Sequence, residues 1–160
     1  MNAPVRKGRV EWIGLRPARR APMQVVGSAE LSVPLGLAGD RYSGRSGERH
    51  VTLIQRENLD AIAAHLGLER VDAADLRRNI VTSGINLLAL KGRRFRLGTA
   101  LLEWTGDCHP CSRMEETLGV GGYNAVRGHG GITARVVEDG RVSLGDAVEA
   151  VEAVAGQAAP

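Results

Sequence analysis

Ile132-Thr133-Ala134-Arg135-Val136-Val137-Glu138-Asp139-Gly140-Arg141-Val142-Ser143-Leu144-Gly145-Asp146-Ala147-Val148-Glu149-Ala150-Val151 is the stretch that decides the fold class. Short β-branched runs alternate with turn residues, and none is long enough for a helix. Asp139-Gly140 is the strongest hairpin signal in the chain, so residues 132–137 and 141–144 read as strands flanking a tight turn. Gly145-Asp146 turns into a last strand over 147–151.

The same texture continues upstream. Residues 93–97 and 100–104 read as strands joined at Gly98-Thr99, and 79–82, 50–54, 24–31 and 6–15 as four more, with Arg16-Pro17 ending the first. Residues 34–47 and 84–92 read as connections, and 121–131 as too rich in glycine for a regular element. The clearest helix is 56–66, where Leu59, Ile62, Ala63 and Leu66 recur at i, i+3, i+4 and i+7 before Gly67. A single turn capped by Asp72 is expected over 71–76. Strands not alternating with long helices argue against a doubly wound sheet. The expectation is a mainly β protein with a few helices: a closed or nearly closed barrel with helices on its rim. One domain is expected over 1–151, with 152–160 a disordered tail.

Composition narrows the function classes. No apolar run approaches the roughly 20 residues that cross a bilayer. Residues 1–6 have no apolar core, and two cysteines make no disulfide framework, so a cytoplasmic protein without a membrane partner is expected. The net charge of +3 is carried almost wholly by arginine, a residue suited to oxyanions. Its five aromatics (Trp12, Tyr42, Phe95, Trp104, Tyr123) are not interleaved with basic residues, so no nucleic-acid platform is expected.

The chemistry concentrates in Asp107-Cys108-His109-Pro110-Cys111-Ser112-Arg113-Met114-Glu115, which holds both cysteines. Ser112 and Glu115 have the spacing of a capping box, which would put Cys111 at a helix start beside Arg113, where a thiolate is favoured. Zinc held by Cys108, Cys111, His129 and a fourth group is one reading of the pair, and two inert buried thiols another. Arg77-Arg78-Asn79-Ile80 is a second cluster, able to grip a phosphate or a heterocycle edge, or else solvated turn charges. Gly128-His129-Gly130-Gly131 could approach a ligand through its amides, or serve as a connector.

Taken in order, Gly39-Asp40, His50-Val51-Thr52-Leu53-Ile54-Gln55, Leu76-Arg77-Arg78-Asn79-Ile80-Val81, Leu90-Lys91-Gly92-Arg93-Arg94-Phe95-Arg96-Leu97-Gly98, Cys108-His109-Pro110-Cys111 and Gly140-Arg141-Val142-Ser143-Leu144-Gly145-Asp146-Ala147-Val148 resemble the MOSC domain, the C-terminal module of molybdenum cofactor sulfurases. The resemblance implies a MOSC-type β-barrel and a site for the molybdenum–pterin cofactor, or for sulfur bound for that metal. Cys111 matches the family cysteine, as molybdenum ligand or persulfide carrier, with Cys108 able to discharge it. Arg77 and Asn79 match the Arg-x-Asn that helps hold pterin and phosphate, and Arg113 and His129 complete the expected cofactor-binding set. No cysteine desulfurase domain is present in these residues, so any sulfur carriage would be independent of pyridoxal phosphate and need a sulfur donor. As an enzyme it would be a molybdenum-dependent oxidoreductase, reducing N-hydroxylated compounds with an electron-transfer partner, or a sulfur transferase, acting as monomer or homodimer. Two other classes remain: a thiol–disulfide oxidoreductase using the Cys-His-Pro-Cys pair, and a non-catalytic module for a small anion.

Overall fold

A computed structural model describes residues 6–42, Gly47 and 50–151; the expected tail at 152–160 lies outside them. Among these described residues eleven strands and four short α-helices follow one another. The strands are β1 (Gly8–Leu15), β2 (Gln24–Val26), β3 (Ser28–Ser32), β4 (Gly36–Leu37), β5 (Val51–Gln55), β6 (Ile80–Ser83), β7 (Arg94–Leu97), β8 (Ala100–Asp107), β9 (Ile132–Glu138), β10 (Gly140–Ser143) and β11 (Ala147–Ala150). The helices are α1 (Arg56–Leu66), α2 (Ala73–Leu76), α3 (Arg113–Leu118) and α4 (Gly122–Val126), with a 3-10 turn at Leu87–Leu90.

Seven strands close into a barrel in the order β11-β7-β8-β9-β5-β6-β1, and β1 returns to β11 through Gly8 opposite Val148. β2 extends one edge through β1. Among the described residues only β5 and β6 run parallel, which requires a crossover, and α1 and α2 supply it. Register shifts in β1 and β8 mark bulges of the kind that curve a sheet toward closure. A barrel this small is filled by its own side chains. Ile13, Leu53, Ile80, Phe95, Leu102 and Val148 belong to one buried cluster that fills it. A ligand site must therefore lie outside that interior.

Alternation along β5 and β6 sets what the outer wall carries. Leu53 and Ile80 face the interior, so Ile54 and Val81 face outward, where they pack with Leu59 and Ile62 of α1, Leu76 of α2 and Met114 of α3. All five β5 residues are buried because both faces are covered. The helices thus lie against the wall of the barrel rather than on its rim. α1 ends as its sequence predicts, with Gly67 left-handed at φ 66°.

The Asp139-Gly140 hairpin does not form. β9 pairs with β8 and β5, whereas β10 pairs with β3, in a separate sheet of order β10-β3-β4. Asp139 instead accepts the Val33 amide at 2.7 Å. Gly140 is needed for a different reason from the one a hairpin supplies: a Cβ there would lie 2.3 Å from the Ala100 nitrogen. The dipeptide marks a change of sheet. Two smaller differences follow the same logic: residues 24–31 divide at Gly27 into β2 and β3, and the glycine-rich 121–131 contains α4.

Among the described residues no helix is long and apolar enough to cross a membrane.

Candidate functional site

Thr52 and Asn79 alternate with the inward Leu53 and Ile80, so they stand on the outer wall of β5 and β6, and the site is built around them. Asn79 is fully buried and wholly engaged. Its Oδ1 accepts from Arg16 Nη2 at 3.0 Å and from the Thr52 amide and hydroxyl at 3.1 Å each. Its Nδ2 donates to the Gly14 carbonyl at 2.9 Å and to Asp40 Oδ1 at 3.1 Å. This side chain has no capacity left for a ligand, so it frames the site instead of contacting one.

Asp40 and Arg16 form the other half of that frame. Arg16 donates to Asp40 from its backbone amide (2.8 Å), Nε (3.0 Å) and Nη2 (2.9 Å), and both residues are buried. Burial pushes the Asp40 carboxyl up, but the hydrogen bonds and charge of Arg16, with help from Asn79, pull harder, and the net direction is below the ordinary value. The Tyr42 ring takes two guanidinium groups, with Arg16 4.4 Å and Arg41 4.9 Å from its centroid. Gly39-Asp40 is one of the segments that carry the family resemblance, but neither Asp40 nor Arg16 reads from the sequence as a site residue. They are 24 residues apart, and Asn79 is 63 from Arg16, so no local pattern reports them.

Arg77 closes α2 in a left-handed conformation at φ 56°, unusual for a residue other than glycine. Its fork reaches the β1–β2 connection, donating to the carbonyls of Ala21 (2.5 Å) and Ala18 (2.9 Å). Burial lowers its affinity for the proton, and so does the positive charge of Arg16, Arg113 and Arg41, with Asp40 opposing. Four guanidinium groups therefore share one field with one carboxylate, itself committed to Arg16 and Asn79. Among the described residues Arg41, Arg77 and Arg113 form no ion pair. Guanidinium groups gathered in this way have the chemistry to attract an anion.

The cysteine segment leaves β8 at Asp107, and the Cys108 amide donates to Gly131 at 2.8 Å. Cys108 is half-buried and Cys111 exposed, so neither is an inert core thiol. The expected capping box is absent. Ser112 has helical backbone angles and no capping side-chain bond. Glu115 turns away from it to accept the Gly121 (3.2 Å) and Tyr123 (2.8 Å) amides, joining α3 to α4. α3 is a short helix of six residues that opens with Arg113, two residues along the chain from Cys111, and the charge of Arg113 is felt at Arg77.

His129 is placed elsewhere. Its ring lies 5.4 Å from that of His65, and Nδ1 is 3.4 Å from Asn58 Oδ1, both on α1. Its neighbours Gly130 and Gly131 approach the protein's own backbone: a Cβ would sit 2.2 Å from the Cys108 carbonyl oxygen and 2.0 Å from that of Leu53, respectively. Among the described residues no three His, Cys, Asp or Glu side chains gather as metal ligands, so the Cys-Cys-His arrangement read for zinc is not assembled.

The sequence matches the MOSC domain over residues 30–149. The fold is similar to that of the YUAD protein from Bacillus subtilis, with TM-score 0.80 and 19% identity over 94% of this chain and 98% of that one. It is also similar to YiiM from Escherichia coli (TM-score 0.69, 22% identity, 91% of this chain and 71% of that) and to YiiM from Geobacillus stearothermophilus (0.74, 16%, 94% and 78%). Likeness at these identities speaks to the fold alone. No curated protein matches the sequence.

Proposed function

This chain belongs to the MOSC domain family, and from that premise we propose that it binds the molybdenum–pterin cofactor, with Cys111 as the metal's protein ligand and the arginine cluster as the seat of its phosphate. The observation that carries the proposal is the gathering of arginines around one buried carboxylate, with Arg16 and Arg41 on the Tyr42 ring, the Arg77 fork on the β1–β2 connection, and Arg113 two residues from an exposed thiol.

The residues suit the group. A phosphate calls for guanidinium donors without competing carboxylates, and Asp40, the carboxylate in this field, is held by Arg16 and Asn79. Arg77 uses two of its five N–H donors on carbonyls, leaving the rest for an anion. Arg113 and Arg41 add charge from α3 and from the loop after β4. A thiolate at Cys111 is a soft donor, matched to a metal already held by sulfur. When bound, the cofactor would supply a redox centre able to reduce N-hydroxylated or related N–O substrates, given an electron donor. Asn79 acts indirectly, by keeping Arg16 and Asp40 in register. His129 lies against α1, and we assign it no part in binding.

Sulfur carriage is the neighbouring reading. It uses the same exposed thiol as a persulfide: the thiolate of Cys108, three residues away, attacks the Cys111 sulfur, the Cys108–Cys111 disulfide forms as the persulfide S–S bond breaks, and the outer sulfur leaves as hydrosulfide. Production in a molybdopterin-competent host, followed by molybdenum, pterin and sulfane-sulfur analysis, separates the two. The wild type should retain molybdenum and pterin, Cys111→Ser should keep pterin-held molybdenum at lower occupancy, and Arg77→Asn should lose pterin. Asparagine is chosen because it tolerates the left-handed backbone. Molybdenum missing from both wild type and Cys111→Ser would refute the oxidoreductase reading, and sulfane sulfur on Cys111 would then establish the carrier.

A further inference from the structure

Arg78 is the residue of the Arg-Arg-Asn run that the proposed chemistry does not use, and it is the buried one of the two arginines, at 8% exposure. Its Nε donates to the Gly130 carbonyl at 2.7 Å and its Nη1 to the Leu76 carbonyl at 2.7 Å. Among the described residues it has no carboxylate partner. Burying an unpaired cation is costly, and a hydrocarbon side chain of similar volume would ordinarily be the cheaper filler. What the fork does in return is visible in its partners. Gly130 packs so closely on the cysteine segment that a Cβ would lie 2.2 Å from the Cys108 carbonyl oxygen and 3.4 Å from Arg78 Nη2. The next residue, Gly131, accepts the Cys108 amide.

We propose that Arg78 is a positioning residue: it ties the Gly130-Gly131 turn, and through it the Cys108 end of the cysteine segment, to the start of β6, and so sets where Cys111 stands relative to Arg77. The inference rests on the arginine–cysteine site proposed above. Arg77, Arg78 and Asn79 then divide the work: one cation faces the ligand, the next holds the cysteine segment, and the amide locks the frame. A planar fork suits the middle task because it spans two carbonyls at once, which a lysine cannot.

The test reads the placement of Cys111 through its reaction with two reagents of similar size, anionic iodoacetate and neutral iodoacetamide, in a Cys108→Ser background. The ratio of the two alkylation rates reports the field at the sulfur and does not move with fold stability alone. Arg78→Met should lower the ratio about tenfold, while Arg78→Lys, able to reach one carbonyl, should stay within about threefold of wild type. Gly130→Ala keeps every cation but displaces the segment, and should lower the ratio as well. An unchanged ratio in folded Arg78→Met overturns the inference; if that variant does not fold, an unchanged ratio in Gly130→Ala does so. Arg77→Asn and Arg113→Gln serve as references. If they too leave the ratio unchanged, the arginine–cysteine site itself is wrong; if they lower it and Arg78→Met does not, only the role of Arg78 falls.

Discussion

Asn79 shows how far a side chain can be read from sequence. Its place two residues after Arg77 marked it as a candidate ligand contact, and the structure shows it buried with both polar ends spent on the protein. That difference depends on Arg16, Gly14, Asp40 and Thr52, which arrive from three other segments, so a local motif carries no trace of it. Arg77 and Cys111 could be named as candidates because each lies in a local pattern, the Arg-Arg-Asn run before a strand and the Cys-x-x-Cys. The pairing of Arg16 with Asp40 could not be read in this way, because a buried ion pair 24 residues apart has no periodicity, even though Gly39-Asp40 belongs to the segments that carry the resemblance. The consequence is measurable. Asn79→Ala should cost about 3 kcal/mol in urea unfolding, since several buried partners lose their bonds together. A loss below about 1 kcal/mol would mean that the network is not the frame described here.

At the scale of elements, the Ser-x-x-Glu spacing held real information with the wrong partner. Gly119 and Gly121, at φ 88° and 89°, turn the chain back so that Glu115 meets the start of α4 in place of the start of its own helix. Such a partner can be seen only once α4 is known, and its glycine-rich sequence hid it. Glu115→Ala should therefore cost about 1 kcal/mol, whereas Ser112→Ala should stay within about 0.5 kcal/mol of wild type, both by thermal or urea unfolding. The reverse ranking would restore the capping box. Gly140 gives the matching lesson for strands. Asp-Gly reads as a turn, yet here glycine admits the Thr99–Ala100 backbone, so Gly140→Ala should destabilise by about 2 kcal/mol through overpacking.

The whole molecule was legible as a class and not as a topology. Short alternating strands sufficed for a mainly β barrel, whereas closure pairs Gly8 with Val148, and the switch of β10 to a second sheet depends on contacts more than a hundred residues apart in sequence. Helix placement followed from a fact visible only in three dimensions, the outward apolar face of β5 and β6. The frame also links the fold to pH. The Asp40 carboxyl titrates lower in the folded chain than in the unfolded one, so its stabilising contribution is complete above about pH 4 and is lost as the pH falls through the folded value. Asp40→Asn should be less stable than wild type at pH 7, by about 3 kcal/mol, and the gap should narrow steadily as unfolding is followed below pH 4. A gap independent of pH would place the stabilisation elsewhere.

We propose that the exposed Cys111 thiol, two residues from Arg113, ligates molybdenum whose pterin partner carries a phosphate held by the arginines on the outer wall of a filled barrel. X-ray absorption at the molybdenum edge, on protein produced in a molybdopterin-competent host, tests this most directly by counting sulfur neighbours of the metal. The account predicts one sulfur fewer in Cys111→Ser than in wild type; an identical count in both, with molybdenum retained, would contradict it.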